Sequence, residues 1–336
     1  MSRSQELKEI EKIAKRLESP DKEERIAAVK DMEYKRRAST VRHLLHVAAF
    51  DKEYSVREAA QHLLEKNLPY YEWPRVAIPV LADALKYPNE NYRAMAVKAL
   101  GWTRKEAAVK HILTMLDDYE KDVRYSAVGA LENIKTPSSI PHLAKRLRKD
   151  EYVPVRNAAA YALGRIGDAK GIPPLVRALK RDENGVVRRH AVEALRSIGM
   201  ANDYKEANRV VPHIARALRD REAAVQAGAI ESFQNLKPRK AIPHLLEVMK
   251  DKKVGKLATG PLGEIIAHHE REGLSYPHRK AWRLVKPYFN KNRLGEWEEE
   301  PQVVFNAYQA ALKGKITEKN ARLYVKQLRA LKGSLK

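Results

Sequence analysis

The 336-residue sequence contains no cysteine, which excludes disulfides, thiolate metal sites and cysteine nucleophiles. It has no run of about 18 apolar residues, so nothing in it is expected to span a membrane. Residues 1–15 are charged throughout and lack the apolar stretch of a secretory signal. These absences point to a cytoplasmic location. No phosphate-cradling glycine loop, nucleophile elbow or catalytic triad is legible, and no cofactor is implied. Glutamine is sparse too, which with the missing cysteine gives a thermophile-like composition.

What the chain has in excess is positive charge. Sixty-five Lys and Arg stand against forty-three Asp and Glu, a formal net charge of +22. Surface ion pairing requires balance, and this excess is not balance. A charge of that size attracts polyanions and repels basic surfaces. Nucleic acid or a ribonucleoprotein is the first partner class it implies, an anionic membrane surface the second. An acidic protein partner satisfies the same charge.

The strongest pattern is a column of arginines: Arg25, Arg57, Arg93, Arg124, Arg156 and Arg188, at intervals of 32, 36, 31, 32 and 32 residues. Its clearest copies read Val123-Arg124-Tyr125-Ser126-Ala127, Val155-Arg156-Asn157-Ala158-Ala159 and Val187-Arg188-Arg189-His190-Ala191. A near-fixed period of this length marks an array of supersecondary units. Each unit reads as two helices. The first carries Ile-Pro-x-Leu-x-x-x-Leu, as in Ile140-Pro141-His142-Leu143 with Leu147 and Ile172-Pro173-Pro174-Leu175 with Leu179. It recurs as Val211-Pro212-His213-Ile214 with Leu218 and Ile242-Pro243-His244-Leu245 with Met249. Proline in a first helical turn sacrifices no hydrogen bond, and the apolar spacing gives one buried stripe. The second helix carries Val, Ala-x-x-Ala-Leu and Ile, as in Val123, Ala127, Ala130, Leu131 and Ile134. Its alanines let neighbouring helices approach closely.

An aspartate six residues before the arginine recurs at Asp51, Asp118, Asp150 and Asp182; Asp220 keeps the place in a unit where Gln226 replaces the arginine. Such an acid and arginine can pair within one unit or between neighbours. The whole pattern, with Leu163-Gly164-Arg165-Ile166-Gly167-Asp168, resembles HEAT repeats of the short phycobilisome-lyase type. The resemblance covers residues 5–270 in about eight units. It implies an all-α solenoid, with the arginine column structural and the aspartate its partner. The expected domains are a HEAT-like solenoid over residues 1–272 and a basic C-terminal helical cap or binding arm over 273–336. Residues 199–208 are expected to lengthen one connection.

Histidines also recur on first helices, at His43, His111, His142, His213 and His244. Zinc requires three or four converging ligands, so these read as solvated positions and no metal site is expected. The HEAT-like iron-dependent hydroxylases carry repeated His-Glu pairs, of which His269-Glu270 is the one match here. HEAT-like alkylpurine DNA glycosylases use concave-face aromatics and an aspartate; Trp102 near a second-helix end and Trp73 in a loop are the aromatics to compare.

The turns joining one unit to the next are expected on one edge, where they hold Lys35-Arg36-Arg37, Arg104-Lys105, Lys135, Lys170, Lys205 and Lys237 with Arg239 and Lys240. The positive ends of the first helices face the same edge, an arrangement suited to a phosphate backbone. By the resemblance, the concave face is built from second helices and presents Lys98, Tyr125, Asn157, Tyr161, Arg189, His190 and Arg196. Interleaved arginine and tyrosine suit stacking and phosphate contact. First helices add Lys145, Arg148, Arg177, Lys180, Arg216 and Arg219 on the outer face. Arg279, Lys280 and Arg283 cluster beside Trp282 in the C-terminal segment. The expectation is a non-catalytic basic solenoid that binds nucleic acid or a ribonucleoprotein through phosphates. A scaffold for an acidic protein is the alternative and a DNA glycosylase the third reading.

Overall fold

The computed structural model describes residues 3–236 apart from Tyr71, together with Leu245 and Leu257. Among the described residues there are fourteen α-helices and no strand. The chain divides into two compact units, residues 1–174 and 175–336. The division expected near residue 272 falls outside the described residues.

The first unit runs α1 (Arg3–Arg16), α2 (Lys22–Asp31), α3 (Ala38–Phe50), α4 (Tyr54–Asn67), α5 (Trp73–Ala84), α6 (Glu90–Trp102), α7 (Glu106–Met115), α8 (Lys121–Ile134), α9 (Ile140–Lys149) and α10 (Val153–Ile166). The boundary falls inside α11 (Ile172–Arg181), and the second unit continues with α12 (Gly185–Tyr204), α13 (Ala207–Ala217) and α14 (Ala223–Leu236). This makes seven helical pairs; the last of the about eight units expected from the sequence falls outside the described residues.

The core is the stripe that the periodicity specifies. Ile140, Leu143 and Leu147 of α9 are buried, as are Val123, Ala127, Ala130 and Leu131 of α8. Each leucine withdrawn from water contributes about 1.5–3 kcal/mol. The small residues set the spacing of α6 and α8: a methyl group on Gly101 would lie 2.6 Å from the Ala130 Cα. Gly101→Ala must therefore push the two helices apart, at a cost of about 1–3 kcal/mol. Gly129, on the exposed side of α8, has nothing within 4 Å of that position. Gly129→Ala should instead stabilise, by up to about 1 kcal/mol from helix propensity. Chemical-denaturation midpoints shifting in opposite directions would verify the pair.

Three local expectations are corrected. Residues 199–208 lengthen a helix instead of a connection: α12 runs on to Tyr204, and Gly199 packs against Val210 of α13. Pro212 sits inside α13, which begins five residues earlier at Ala207, although Pro141 does occupy the first turn of α9. Trp73 is the first residue of α5 and only 2% exposed, so it is a core residue and not a loop aromatic.

Candidate anion-binding surfaces

The arginine column forms a ladder. Arg124 donates from Nε and Nη2 to the two carboxylate oxygens of Asp150, at 2.8 and 3.1 Å. Its Nη1 donates to the carbonyls of Asp118 and Tyr119, at 3.0 and 3.1 Å. Arg25 grips Asp51, Arg93 grips Asp118 and Arg188 grips Asp220 with the same two-pronged geometry. Each carboxylate belongs to the following helical pair, so the pairing left open by the sequence is between neighbours. Each aspartate also accepts the amide two residues on, at Glu53, Glu120, Tyr152 and Glu222. It thereby closes an Asx turn just ahead of its own second helix. These four arginines are 3–5% exposed, which removes them as contacts for an external phosphate.

Asp220 gives the ladder a pH signature. Burial alone would raise its carboxyl, but the Arg188 fork, the Glu222 amide and the charges of Arg188 and Arg221 hold it below the ordinary carboxylate range. A depressed folded-state value means that its stabilisation is complete above the unfolded value of about 3.9 and is lost as pH falls through the lower folded one. Unfolding midpoints measured against pH should fall below about pH 4, and Asp220→Asn should flatten that acid limb.

Arg57 departs from its siblings. Its Nη1 donates to the carbonyls of Asp51 and Lys52, at 2.6 and 3.1 Å, and the Tyr54 ring lies 5.7 Å from its guanidinium carbon. Its Nε and Nη2 have no partner among the described residues. The register explains this. Six residues before Arg93, where the units of Arg57, Arg124, Arg156 and Arg188 hold aspartate, stands Tyr87, packed against Tyr92 with ring centroids 4.7 Å apart. The interval from Arg57 to Arg93 is also 36 residues, against 31 or 32 elsewhere in the column. α6 packs against α3 as well as α5, and a cleft of about 350 Å³ opens between α4 and α6. Ala48, Ala49, Ala94 and Met95 give it apolar surface, and Arg57, Gln61, Asn91, Lys98, Asp122, Tyr125 and Ser126 give it polar groups.

In the second unit a smaller hollow of about 170 Å³ lies between α11 and α13. Lys180, His213, Arg216 and Arg219 line it with Val176, Leu179, Ala217 and Asp220. Lys180, Arg216 and Arg219 are exposed and have no acidic partner among the described residues, while the carboxylate of Asp220 is occupied by Arg188. Burial, then the charges of Arg216 and Lys180, hold the His213 imidazole below its usual range. Its Nδ1 is buried without a hydrogen-bond partner. The sequence places these cations on an outer face without bringing them together. A signal for their convergence is present: Arg177 and Lys180 of α11 align with Arg216 and Arg219 of α13 in the repeat.

The other sequence-derived residues divide into engaged, open and undescribed. Lys35 pairs with Glu9 at 2.7 Å and Arg37 with Glu6, so the expected basic edge is in places neutralised by α1; Arg36 is exposed. Arg189 pairs with Glu193 at 2.9 Å, and Arg196 stands 3.6 Å from Glu231. Arg104 and Lys105 are exposed at the α6–α7 turn, with Arg104 in the left-handed conformation at φ 51°. Lys98 and Tyr125, on different helices, meet in the α4–α6 cleft. Tyr161 is 53% exposed on α10 with Arg165 against its ring. Lys237, Arg239, Lys240, Arg279, Lys280 and Arg283 lie outside the described residues.

Among the described residues no cluster of three or more His, Asp or Glu side chains could hold a metal ion. No helix there is long and apolar enough to cross a membrane.

Helical pairs in a fixed repeat, joined by buried Arg–Asp staples, define an α-solenoid. A family model of HEAT repeats matches residues 78–164, 110–196 and 172–259. Together these cover more than half of the chain, which belongs to the HEAT-repeat family. No curated protein matches it. Among solved structures it is similar to Kap95p, in a structure that describes Kap95p binding to RanGDP, at 15% identity over 91% of this chain and 45% of that one, with a TM-score of 0.55. That likeness is one of fold. It is also similar to the complex of CpcE and CpcF of phycocyanin lyase from Nostoc sp. PCC7120, at 27% identity over 46% of this chain and 97% of that one, with a TM-score of 0.38. An engineered protein is similar at 20% identity over 90% of this chain and 88% of that one, with a TM-score of 0.43.

Proposed function

We propose that this chain is a non-catalytic, cytoplasmic binding protein that takes nucleic acid or a ribonucleoprotein through its phosphates. The observation that carries the reading is the α11–α13 hollow, where Lys180, Arg216 and Arg219 converge without acidic partners among the described residues. Converging unpaired cations leave a positive potential that a phosphate relieves, with no sequence readout required. The ladder supports the same reading from the other side. It engages Asp51, Asp118, Asp150 and Asp220 with buried arginines, so these carboxylates do not offset the exposed cations. The test is fluorescence anisotropy with labelled single- and double-stranded RNA and DNA across a salt series. Absence of association at low salt would overturn it.

A scaffold for an acidic protein is the second reading, favoured by the open guanidinium of Arg57. Co-purification with and without nuclease separates the two, since a protein partner survives digestion. Base excision is the remaining reading. Trp73 is buried in α5, and the one carboxylate and the one aromatic ring that line the α4–α6 cleft are Asp122 and Tyr125. Incubation with alkylated DNA is expected to release no base.

A further inference from the structure

We propose that the α4–α6 cleft binds an acidic peptide, holding an aspartate or glutamate side chain of a partner in the open fork of Arg57 with Lys98 beside it. The ladder itself shows what such a fork takes. Arg25, Arg93, Arg124 and Arg188 each present Nε and Nη2 to the two oxygens of one carboxylate, at 2.8–3.1 Å. Arg57 is anchored through Nη1 to its own turn in the same way, so its fork is held in place before any ligand arrives. A pre-positioned planar fork matches a carboxylate in two parallel hydrogen bonds, which a lysine cannot reproduce.

The surroundings fit a peptide. At about 350 Å³ the cleft falls in the size range of ligand sites, and its apolar alanines and Met95 accept aliphatic side-chain carbons. The Asn91 and Gln61 amides offer donors and acceptors to a peptide backbone; Gln61 already donates Nε2 to the Ala48 carbonyl at 3.3 Å. Lys98 is exposed and carries no ion pair among the described residues. Asp122, on α8, adds one negative charge to the lining, which disfavours a second acid beside it. The inference is independent of the nucleic-acid reading, because none of these residues lines the α11–α13 hollow.

The test uses the full chain and a fluorescein-labelled, acetylated and amidated hexaglutamate peptide. Arg57→Ala and Lys98→Ala should each weaken binding about tenfold or more, the range of a charge-assisted hydrogen bond. Arg57→Lys should fail to restore it, and Asp122→Asn should tighten it. Lys98→Ala removes an exposed, unpaired side chain, so it keeps the test decisive if Arg57 variants lose stability. The triple variant Lys180→Ala, Arg216→Ala, Arg219→Ala should bind the peptide as the parent does. Affinity unchanged within about twofold in both Arg57→Ala and Lys98→Ala would overturn the proposal. So would loss of peptide binding in the triple variant, or a hexauridylate that depends on Arg57 as strongly as the peptide does.

Discussion

Arg124→Ala is expected to lower stability by about 3 kcal/mol. The reason is what the change leaves behind. Asp150 is 4% exposed, and truncation strands its carboxylate away from water with the Tyr152 amide at 3.0 Å and Arg146 at 3.5 Å. Those contacts keep the loss at the lower end for a broken buried pair. Two carbonyls, of Asp118 and Tyr119, lose their donor as well. Replacing both partners, as Arg124→Met with Asp150→Leu, should recover much of the loss, because no buried charge then remains. Arg57→Ala is the internal control. It strands no carboxylate and should cost only about 1–2 kcal/mol for the two carbonyl bonds. Repeat arrays need not unfold in one step, so hydrogen exchange in α8 and α10 should be read alongside urea midpoints. Equal losses for Arg57→Ala and Arg124→Ala would show that the carboxylate bond contributes nothing.

Nucleic-acid affinity is expected to fall by about three orders of magnitude or more between roughly 50 and 200 mM salt if six or more phosphates are contacted. Each phosphate contact releases condensed counterions and contributes about −0.9 to the slope of log K against log salt. The triple variant of Lys180, Arg216 and Arg219 should therefore flatten that slope by about 2.7, three contacts at about 0.9 each. Over a fourfold rise in salt, that alone removes roughly 40-fold of the salt sensitivity. Because phosphate contacts position without reading bases, the loss should be similar for unrelated sequences of equal length. A triple variant with an unchanged slope would move the binding surface elsewhere on the chain.

The repeat, its helical pairs and the structural role of the arginines were legible in the sequence for a physical reason. Each shows as a pattern along the chain: apolar spacing within a helix, an arginine and an aspartate recurring at the repeat's period, alanines where helices must approach. Where reading failed, the deciding contact came from another element. Gly199 reads as a loop residue along the chain, yet α13 packs against it and α12 continues through. Lys35 and Arg37 read as free cations, yet Glu9 and Glu6 of α1 reach them.

The sequence by itself therefore determined the fold, since a 32-residue period with one buried stripe per helix admits few other solutions. Only the tertiary structure decided which charges are open. It joined each ladder aspartate to the arginine of the preceding pair, drew Lys180, Arg216 and Arg219 into one hollow, and left Arg57 facing a cleft. Charge availability is set by distances between neighbouring repeats. The 36-residue interval between Arg57 and Arg93 marks an interruption in the sequence, but packing decides which helices it parts.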